Sequence, residues 1–359
     1  MTFLSRLDPI IAEVVAPAAT TVDREGVFPT ASVEALGEAG LLGLVNDVMV
    51  GGLGLGLAEA SEVVERLGRA CSSTAVVIAM HYTAMAAVER HCGESIRREI
   101  VLNRHLLTPA WSEREAFRDF NCARSTARTD GEEFILDGDK SRVVSALEAD
   151  HYVWPARENS GEISLWLVGS RMAGLSQSGP FAGVGLRGAS AAPVSCRSLR
   201  LGQSARLGGQ GLVTLIHEML PVHAILTASC SIGMMAAVLE KSGRLVAAGG
   251  GSNGDAPRGE IRAYLARASV LADMARALRD EACHDRGEGA ALRALKAQAA
   301  AVDASLEVTG IAMRICGGAG VCGAERHFRD ARALSSIPPA TERLYDLIGR
   351  SICGLPVFS

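Results

Sequence analysis

Side chains that could do chemistry are scattered along the chain of 359 residues, and none forms a complete motif on its own. The run Gly52-Leu-Gly-Leu-Gly is similar to a nucleotide-binding loop, but it lacks a preceding strand and the full G-x-G-x-x-G spacing, so we interpret it as structural. Cys283-His284 lies on an amphipathic helix without further ligands. The nine cysteines include no C-x-x-C pair, which is typical of reduced thiols in a cytoplasmic protein. The sequence therefore predicts no metal site.

Composition and charge narrow the class of protein. Hydrophobic residues make up 48% of the chain, which is typical of a well-packed globular protein. A net charge of −4 argues against nucleic acid as a partner, because phosphate binding needs a basic face. The apolar helical stretch from Thr74 to Ala87 is short for a bilayer and contains His81. The first residues, Met1 to Val15, lack the pattern of a signal peptide. We expect a cytoplasmic protein with no membrane partner.

Three stretches of the chain differ in periodicity. The first hundred residues show apolar residues at helical spacing, as in Leu4 to Ala16. From about Leu106 to Leu201, short apolar runs alternate with turn residues, which favours strands. Helical periodicity returns after Gln210. We therefore predict an α+β protein with an N-terminal helical domain (residues 1–105), a middle antiparallel β-domain (106–210) and a C-terminal helical bundle (211–359).

Local motifs occur in the order known from one family. The N-terminal part carries Leu36-Gly-Glu-Ala-Gly-Leu-Leu-Gly, and the β-rich part carries Gly138-Asp-Lys and Leu186-Arg-Gly-Ala-Ser. The C-terminal part carries Gly317-Gly-Ala-Gly, followed by Phe328-Arg-Asp-Ala-Arg. In order and spacing these motifs cover nearly the whole chain and resemble those of the acyl-CoA dehydrogenase family.

This resemblance implies an oxidoreductase that is a flavoprotein and a homodimer or homotetramer, with FAD between the β-domain and the C-terminal bundle. The family's usual reaction removes a proton from the α-carbon and a hydride from the β-carbon of an acyl thioester. A carboxylate takes the proton, the flavin takes the hydride, and hydrogen bonds to the thioester carbonyl stabilise the enolate. The substrate would be a thioester of coenzyme A or of an acyl-carrier protein.

The resemblance also assigns cofactor contacts to single residues of this chain: Trp111, Ser112, Val144, Ser145, Arg314, Gly317, Gly318 and Thr341. Several neighbouring positions depart from the family pattern. Phe117-Arg118 replaces a Gly-Ser pair above the flavin, where a side chain obstructs the usual close approach. Arg118 could instead pair with a phosphate, or be a surface arginine.

Further departures concern the flavin ring and the nucleotide. Arg142 and Val144 replace a tryptophan and a threonine, and Ser145 would point to the opposite face of the expected strand. Gly249 to Asn253 lacks the arginine and phenylalanine that reach a neighbouring subunit's FAD in relatives. Arg314 replaces a glutamine and could compensate by pairing with a phosphate.

The catalytic base is missing from its most common position. Many family members place a glutamate where this chain has Pro339, whereas others place it on the first bundle helix, where the spacing from Gly233 gives His223. A histidine can act as a base near neutral pH. The alternative is a histidine that only packs. Glu218 and Glu342 are close in sequence, but the resemblance gives neither of them the role.

Three functions therefore stay open at the level of sequence. The first is an FAD-dependent dehydrogenase of acyl thioesters with an atypical base. The second is a flavin-dependent monooxygenase on the same fold, and the third is a homologue that has lost FAD and acts as a non-catalytic subunit. Fold alone does not decide among them. A flavin band in the visible spectrum would separate the first two from the third.

Overall fold

The structure is a computed structural model that describes residues 2–113, 123–248, 258–285, 287, 289–317 and 323–357. A layer of α-helices comes first. Its members are α1 (Phe3–Ile10), α2 (Ala16–Glu25), α3 (Thr30–Glu38), α4 (Leu57–Ala70), α5 (Ser72–His91) and α6 (Glu94–Leu102). Helix α5 is buried along most of its length, because the other helices, the sheet and the bundle all pack against it. Leu102 ends this layer.

A sheet of eight strands follows. The strands are β1 (Leu107–Pro109), β2 (Thr126–Asp130), β3 (Glu133–Val143), β4 (His151–Glu158), β5 (Ile163–Gly169), β6 (Leu175–Gln177), β7 (Ala192–Gly202) and β8 (Arg206–Leu207). Their order is β6-β7-β3-β2-β4-β5-β8, and β1 also pairs with β4. Most pairs are antiparallel as predicted, whereas β1 and β2 both run parallel to β4. Strands β1 and β2 therefore pair with successive parts of β4, and residues 110–125 connect them.

Helices resume at Gly211 and form the C-terminal bundle. They are α7 (Gly211–Thr214), α8 (Leu220–Ala247), α9 (Arg258–His284), α10 (Ala290–Cys316), α11 (Ala324–Leu334) and α12 (Thr341–Ile352), with a π-helical turn, Leu215–Met219, between α7 and α8. The helix–sheet–helix order confirms the predicted fold class. The changes of structure after Leu102 and before Gly211 lie close to the predicted domain boundaries, which stay a prediction.

Two expectations from the sequence need correction. The helical segment Gly211–Ala247, and not Thr74 to Ala87, is long and apolar enough to cross a membrane, but 83% of its most apolar window is buried inside the protein. Such burial is typical of a core helix. Cys316 is disulfide-bonded, so the prediction of reduced thiols is wrong for this residue, whereas the other six described cysteines form no disulfide.

The N-terminal layer and the bundle meet where α4 crosses α8 without intervening side chains. A Cβ atom on Gly233 would lie 2.2 Å from the carbonyl oxygen of Glu65, and one on Gly68 would lie 2.9 Å from that of Cys230. One turn away, the Ser61 and Ser229 hydroxyls lie 2.7 Å apart. The glycines thus let two backbones touch, so that neither helix can carry a larger residue at the crossing.

We expect Gly233→Ala to lower the free energy of unfolding by at least about 2 kcal/mol, because the added methyl must push the helices apart. Gly310→Ala is the matched control. It also lies inside a long helix, but its Cβ would meet nothing within 4 Å, so better helix propensity should stabilise it by up to about 1 kcal/mol. Urea denaturation measures both. Equal effects of the two substitutions would contradict the close crossing.

Candidate active site

A buried ion pair holds the segment that the sequence places over the cofactor. The ammonium of Lys140 on β3 contacts the carboxylate of Glu113, and both side chains are buried. The same carboxylate accepts hydrogen bonds from the Arg124 amide at 2.6 Å and from the Ser125 hydroxyl at 2.8 Å. Lys140 also donates to the Pro155 carbonyl at 2.9 Å. Glu113 therefore ties together both ends of residues 114–122, which include the predicted Phe117 and Arg118 and lie outside the described residues.

The electrostatics of this pair follow from its burial. Removal from water alone would raise the pKa of Glu113, but the charge of Lys140 and the donated hydrogen bonds keep that pKa below its ordinary value. Glu113 is thus ionised at neutral pH. A buried charge left without its partner is strongly destabilising. Replacing Glu113 or Lys140 alone should therefore lower the free energy of unfolding.

We expect Lys140→Met to lower the free energy of unfolding by about 3–5 kcal/mol, because it leaves the Glu113 carboxylate buried and uncompensated. Arg197→Ala is the control, since its ion pair with Asp139 at 2.7 Å is exposed and should contribute at most about 1 kcal/mol. Adding Glu113→Gln to Lys140→Met should recover part of the loss. Chemical denaturation of the single and double variants measures this, and strict additivity would argue against the pair.

The predicted flavin contacts near β3 do not lie on a strand. β3 ends at Val143, and Ser145 adopts a left-handed backbone with φ of 56° while its amide donates to the Ala189 carbonyl at 2.8 Å. The expected strand alternation of Val144 and Ser145 is therefore wrong. The side chain of Val144 packs against the core of the N-terminal layer. The Ser145 hydroxyl is buried and has no hydrogen-bond partner among the described residues.

Segment 108–112 connects these contacts to the bundle. The Thr108 hydroxyl donates to the Val144 carbonyl at 2.7 Å, and the amide of Ser141 donates to the Ser112 carbonyl at 2.7 Å. Between these two anchors, the Trp111 ring meets the His223 ring edge-on, with centroids 5.0 Å apart. The structure thus brings Trp111 to His223 and attaches both to the turn that holds Ser145.

His223 lies on α8 and is fully buried. Neither ring nitrogen has a hydrogen-bond partner within the described part of the chain. Burial lowers the pKa of His223 to about 4, although the nearby carbonyl of Pro338 opposes this decrease. The imidazole is therefore uncharged at neutral pH. The backbone of Pro338, the residue before Pro339, lies beside the His223 ring, and proline has no side chain that could accept a proton.

An unpartnered buried imidazole is unusual, since a buried polar atom without a hydrogen bond costs about 1–3 kcal/mol. His81 on α5 shows the ordinary solution. It is equally buried and its pKa is also lowered to about 4 by burial, but its Nδ1 accepts from the Leu107 amide at 3.1 Å and its Nε2 donates to the Leu42 carbonyl. His223 has the same burial, but only the Pro338 backbone approaches its ring, and no hydrogen bond of ordinary geometry forms within the described residues; a ligand could therefore complete its hydrogen bonds.

The remaining predicted contacts occupy other positions. Gly317 ends α10 with φ of 68°, and Gly318 lies outside the described residues. Arg314 is exposed and lies beside the Tyr264 hydroxyl of α9. Thr341 begins α12, where its amide donates to the Ser335 carbonyl at 3.4 Å. The cofactor roles of these residues stay predictions. The predicted loss of the contact with a neighbouring subunit's FAD at Gly249 to Asn253 also stays a prediction, because that segment lies outside the described residues.

The alternative carboxylates are not near His223. Glu342 is exposed on α12. Glu218, in the π-helical turn, lies 2.8 Å from Nε2 of His91 and lines a cleft of about 1030 Å³ together with Pro221 and Ile225. At about 100° per residue, Pro221 and Ile225 share one side of α8 and His223 projects from the other. The sequence alone did not predict this cleft, because its walls come from segments far apart along the chain.

Comparisons with known proteins agree with this architecture. Residues 2–103 match the family model described as "Acyl-CoA dehydrogenase, N-terminal domain". The chain is 29% identical over 354 residues to the mitochondrial short-chain specific acyl-CoA dehydrogenase of Bos taurus, covering 92% of this chain and 84% of that protein. The prolyl acyl carrier protein oxidase AnaB superposes with a TM-score of 0.87 at 19% identity, covering 98% of each chain. Dibenzothiophene monooxygenase TdsC from Paenibacillus sp. A11-2 superposes with a TM-score of 0.83 at 18% sequence identity, covering 99% of each chain.

The two structural similarities show that the chain has the acyl-CoA dehydrogenase fold of a helical layer, a sheet and a helical bundle. The sequence similarity to acyl-CoA dehydrogenases runs along most of the chain, and residues 2–103 match the N-terminal domain of that family.

The unpartnered state of His223 predicts an unusual response to mutation. His223→Leu, which is similar in volume, should leave the free energy of unfolding at pH 7 unchanged or higher, because no hydrogen bond is lost. His81→Leu should lower it by about 1–3 kcal/mol for each backbone group left unpaired. Thermal or urea unfolding at pH 7 compares the two. A large loss in His223→Leu would show that the imidazole is a structural residue.

Comparison of the wild type with His223→Leu also tests how stability depends on pH. The pKa of His223 falls from 6.5 in the unfolded chain to about 4 when folded, so the unfolded state binds more protons between these values. The contribution is present above pH 6.5 and is lost as the pH falls towards 4, by roughly 3 kcal/mol. Because Leu cannot titrate, His223→Leu should lose about that much less stability than the wild type between pH 6.5 and 4. Identical slopes would contradict the lowered pKa.

Proposed function

We propose that this chain is a flavin-dependent oxidoreductase that removes hydrogen from the α and β carbons of an acyl thioester, with His223 as the base. The observation that carries the proposal is the buried, uncharged imidazole of His223, which lies beside the Pro338 backbone and whose nitrogens have no hydrogen bond of ordinary geometry within the described residues. The similarity to acyl-CoA dehydrogenases and to a carrier-protein oxidase supports the substrate class. The thioester would be carried by coenzyme A or by a carrier protein, and the chain would act as a cytoplasmic homo-oligomer.

The described residues fit a flavin and a thioester in one specific respect. The Ser145 hydroxyl and both nitrogens of His223 are among the buried polar atoms that lack a hydrogen-bond partner within the described residues, and bound groups with donors and acceptors would satisfy them. The flavin supplies the acceptor for the hydride. Ser112, Ser145 and Thr341 would help to hold it, and Arg314 would pair with its phosphates. The edge-on contact of the Trp111 ring with the His223 ring would help to fix the plane of the imidazole.

The low pKa of His223 determines how the residue can act. The neutral imidazole is already in the form that accepts a proton. Burial opposes the positive charge that results, so proton transfer must be coupled to negative charge that develops on the thioester next to the ring. An enolate supplies that charge. His223 would therefore be a poor base in the empty site and an adequate one against a polarised substrate.

The proposal is tested with the full chain, free FAD and butyryl-CoA as a probe. After unbound FAD is removed by gel filtration, we expect a flavin band in the protein fraction, and bleaching of that band by butyryl-CoA without oxygen. In D₂O, His223 should also exchange the α-protons of the thioester. His223→Leu should reduce both bleaching and exchange at least about a hundredfold, in line with loss of a positioned base, with FAD affinity unchanged. Trp111→Phe is the control that keeps the ring contact.

The outcomes separate the competing functions. Retention of bleaching in His223→Leu would eliminate His223 as the base. If the protein showed no flavin band after incubation with FAD and removal of the unbound FAD, the result would contradict the proposal and favour the non-catalytic subunit. A monooxygenase is the second candidate, since the water-free imidazole and the similarity to TdsC suit it as well. It would give no bleaching by thioester, but product from an aromatic acceptor such as indole with reduced flavin and oxygen.

A further inference from the structure

The chain has only three lysines, and each of them has a different environment. Lys140 is buried in the ion pair with Glu113, so reagents in solution do not reach its amine. Lys296 is exposed on α10. Lys241, in the C-terminal half of α8, is partly buried, and no carboxylate of the described residues forms an ion pair with its ammonium. A lysine that leaves the solvent without an ion pair is unusual.

A second cation, instead of a counter-ion, acts on Lys241. Partial burial and then the positive charge of Arg326 on α11 lower the pKa of the Lys241 amine. Glu240, the preceding residue, opposes this decrease only in part. Its carboxylate is already held by ion pairs with Arg69 and Arg244. At neutral pH a larger fraction of the Lys241 amine is therefore uncharged, and so nucleophilic, than in a lysine fully surrounded by water.

Two hydrogen-bond acceptors orient the Lys241 amine. Its Nζ lies 3.3 Å from the carbonyl oxygen of Gly323, the residue before α11, and 3.4 Å from Nε2 of His327. His327 is fully buried. Burial, together with the charges of Arg326 and Lys241, holds the pKa of His327 well below its ordinary value, so its imidazole is uncharged and can accept a proton. An amine beside a cation, with a base within hydrogen-bond reach, is the arrangement of an activated lysine.

We propose that Lys241 is a nucleophilic lysine that takes the acyl group of an acyl thioester, with His327 as the proton acceptor. The lone pair of Nζ attacks the carbonyl carbon of the thioester, a carbon–nitrogen bond forms, and the carbon–sulfur bond breaks. His327 takes the proton that leaves Nζ and returns it to the departing thiolate. The products are an amide on Lys241 and a free thiol. No oxidation state changes, so the step needs no cofactor.

This modification site is separate from the site proposed at His223. Both residues lie on α8, where a rise of about 1.5 Å per residue places Lys241 about 27 Å from His223 along the helix. The choice of a thioester as the acyl donor rests on the proposed function, whereas the reaction at Lys241 uses neither flavin nor His223. Acylation would also replace the positive charge beside Arg326 by a neutral amide, which removes a repulsion between two cations.

The first test incubates the full chain with acetyl-CoA at pH 7 without FAD, and peptide mass spectrometry follows acetylation of each lysine. We expect Lys241 to react at least about tenfold faster than Lys296, the exposed control, and to lose this advantage in urea, which removes its folded neighbours. Because FAD is absent, failure of the flavin chemistry proposed for His223 would not change this result. A Lys241 that reacts no faster than Lys296 in the folded chain, or that keeps its advantage in urea, would overturn the proposal.

Substitution of its two neighbours tests how the amine is activated. Arg326→Glu places a carboxylate beside the ammonium of Lys241 and should slow its acetylation at least about tenfold. His327→Leu removes the proton acceptor and should slow it by a similar factor. Arg332→Glu is the matched control, because it makes the same change of charge at an exposed position of α11 and should leave the rate within about twofold of the wild type. The rate at Lys296 and circular dichroism report whether each variant is folded. An unchanged rate at Lys241 in folded Arg326→Glu or His327→Leu would refute the assigned roles.

Discussion

The ion pair between Glu113 and Lys140 is the contact on which the candidate site depends. It is formed at the junction where β1 and β2 follow each other along β4, and it fixes the connection between them at both ends. Trp111 lies just before this junction, so the position of its ring against His223 depends on the same clamp. The interaction is electrostatic and buried. It therefore fixes the described ends of this connection, at Glu113 and at Arg124 and Ser125.

The comparison of His81 and His223 separates structural from functional burial. Both imidazoles are uncharged for the same physical reason, removal from water. His81 satisfies two backbone groups and joins the N-terminal layer to the first strand. His223 satisfies none within the described residues. Stability alone does not explain a buried polar group that contributes no bond, and active sites are the places where proteins commonly retain such groups.

The sequence predicted the order of helices and strands because periodicity and turn residues are local signals. Helix spacing from Gly233, carried over from relatives, also indicated His223 as a candidate base, and that role stays a prediction. It did not predict that Ser145 leaves the strand, because the left-handed turn is fixed by the distant Ala189 carbonyl. The cleft beside Glu218 was missed for a similar reason. Its walls include residues of six α-helices, namely α4, α5, α8, α9, α10 and α12, and no local pattern records how they come together.

The glycine crossing of α4 and α8 has a consequence for synthesis of the chain. The hydroxyls of Ser61 and Ser229, which lie beside this crossing, are 168 residues apart along the sequence. The N-terminal helices leave the ribosome long before the helix that covers them exists. Until then the faces of α4 and α5 that pack against α8 lack that partner. Contacts between segments far apart in the sequence form slowly. The nascent chain should therefore be a substrate for chaperones throughout synthesis of its β-domain.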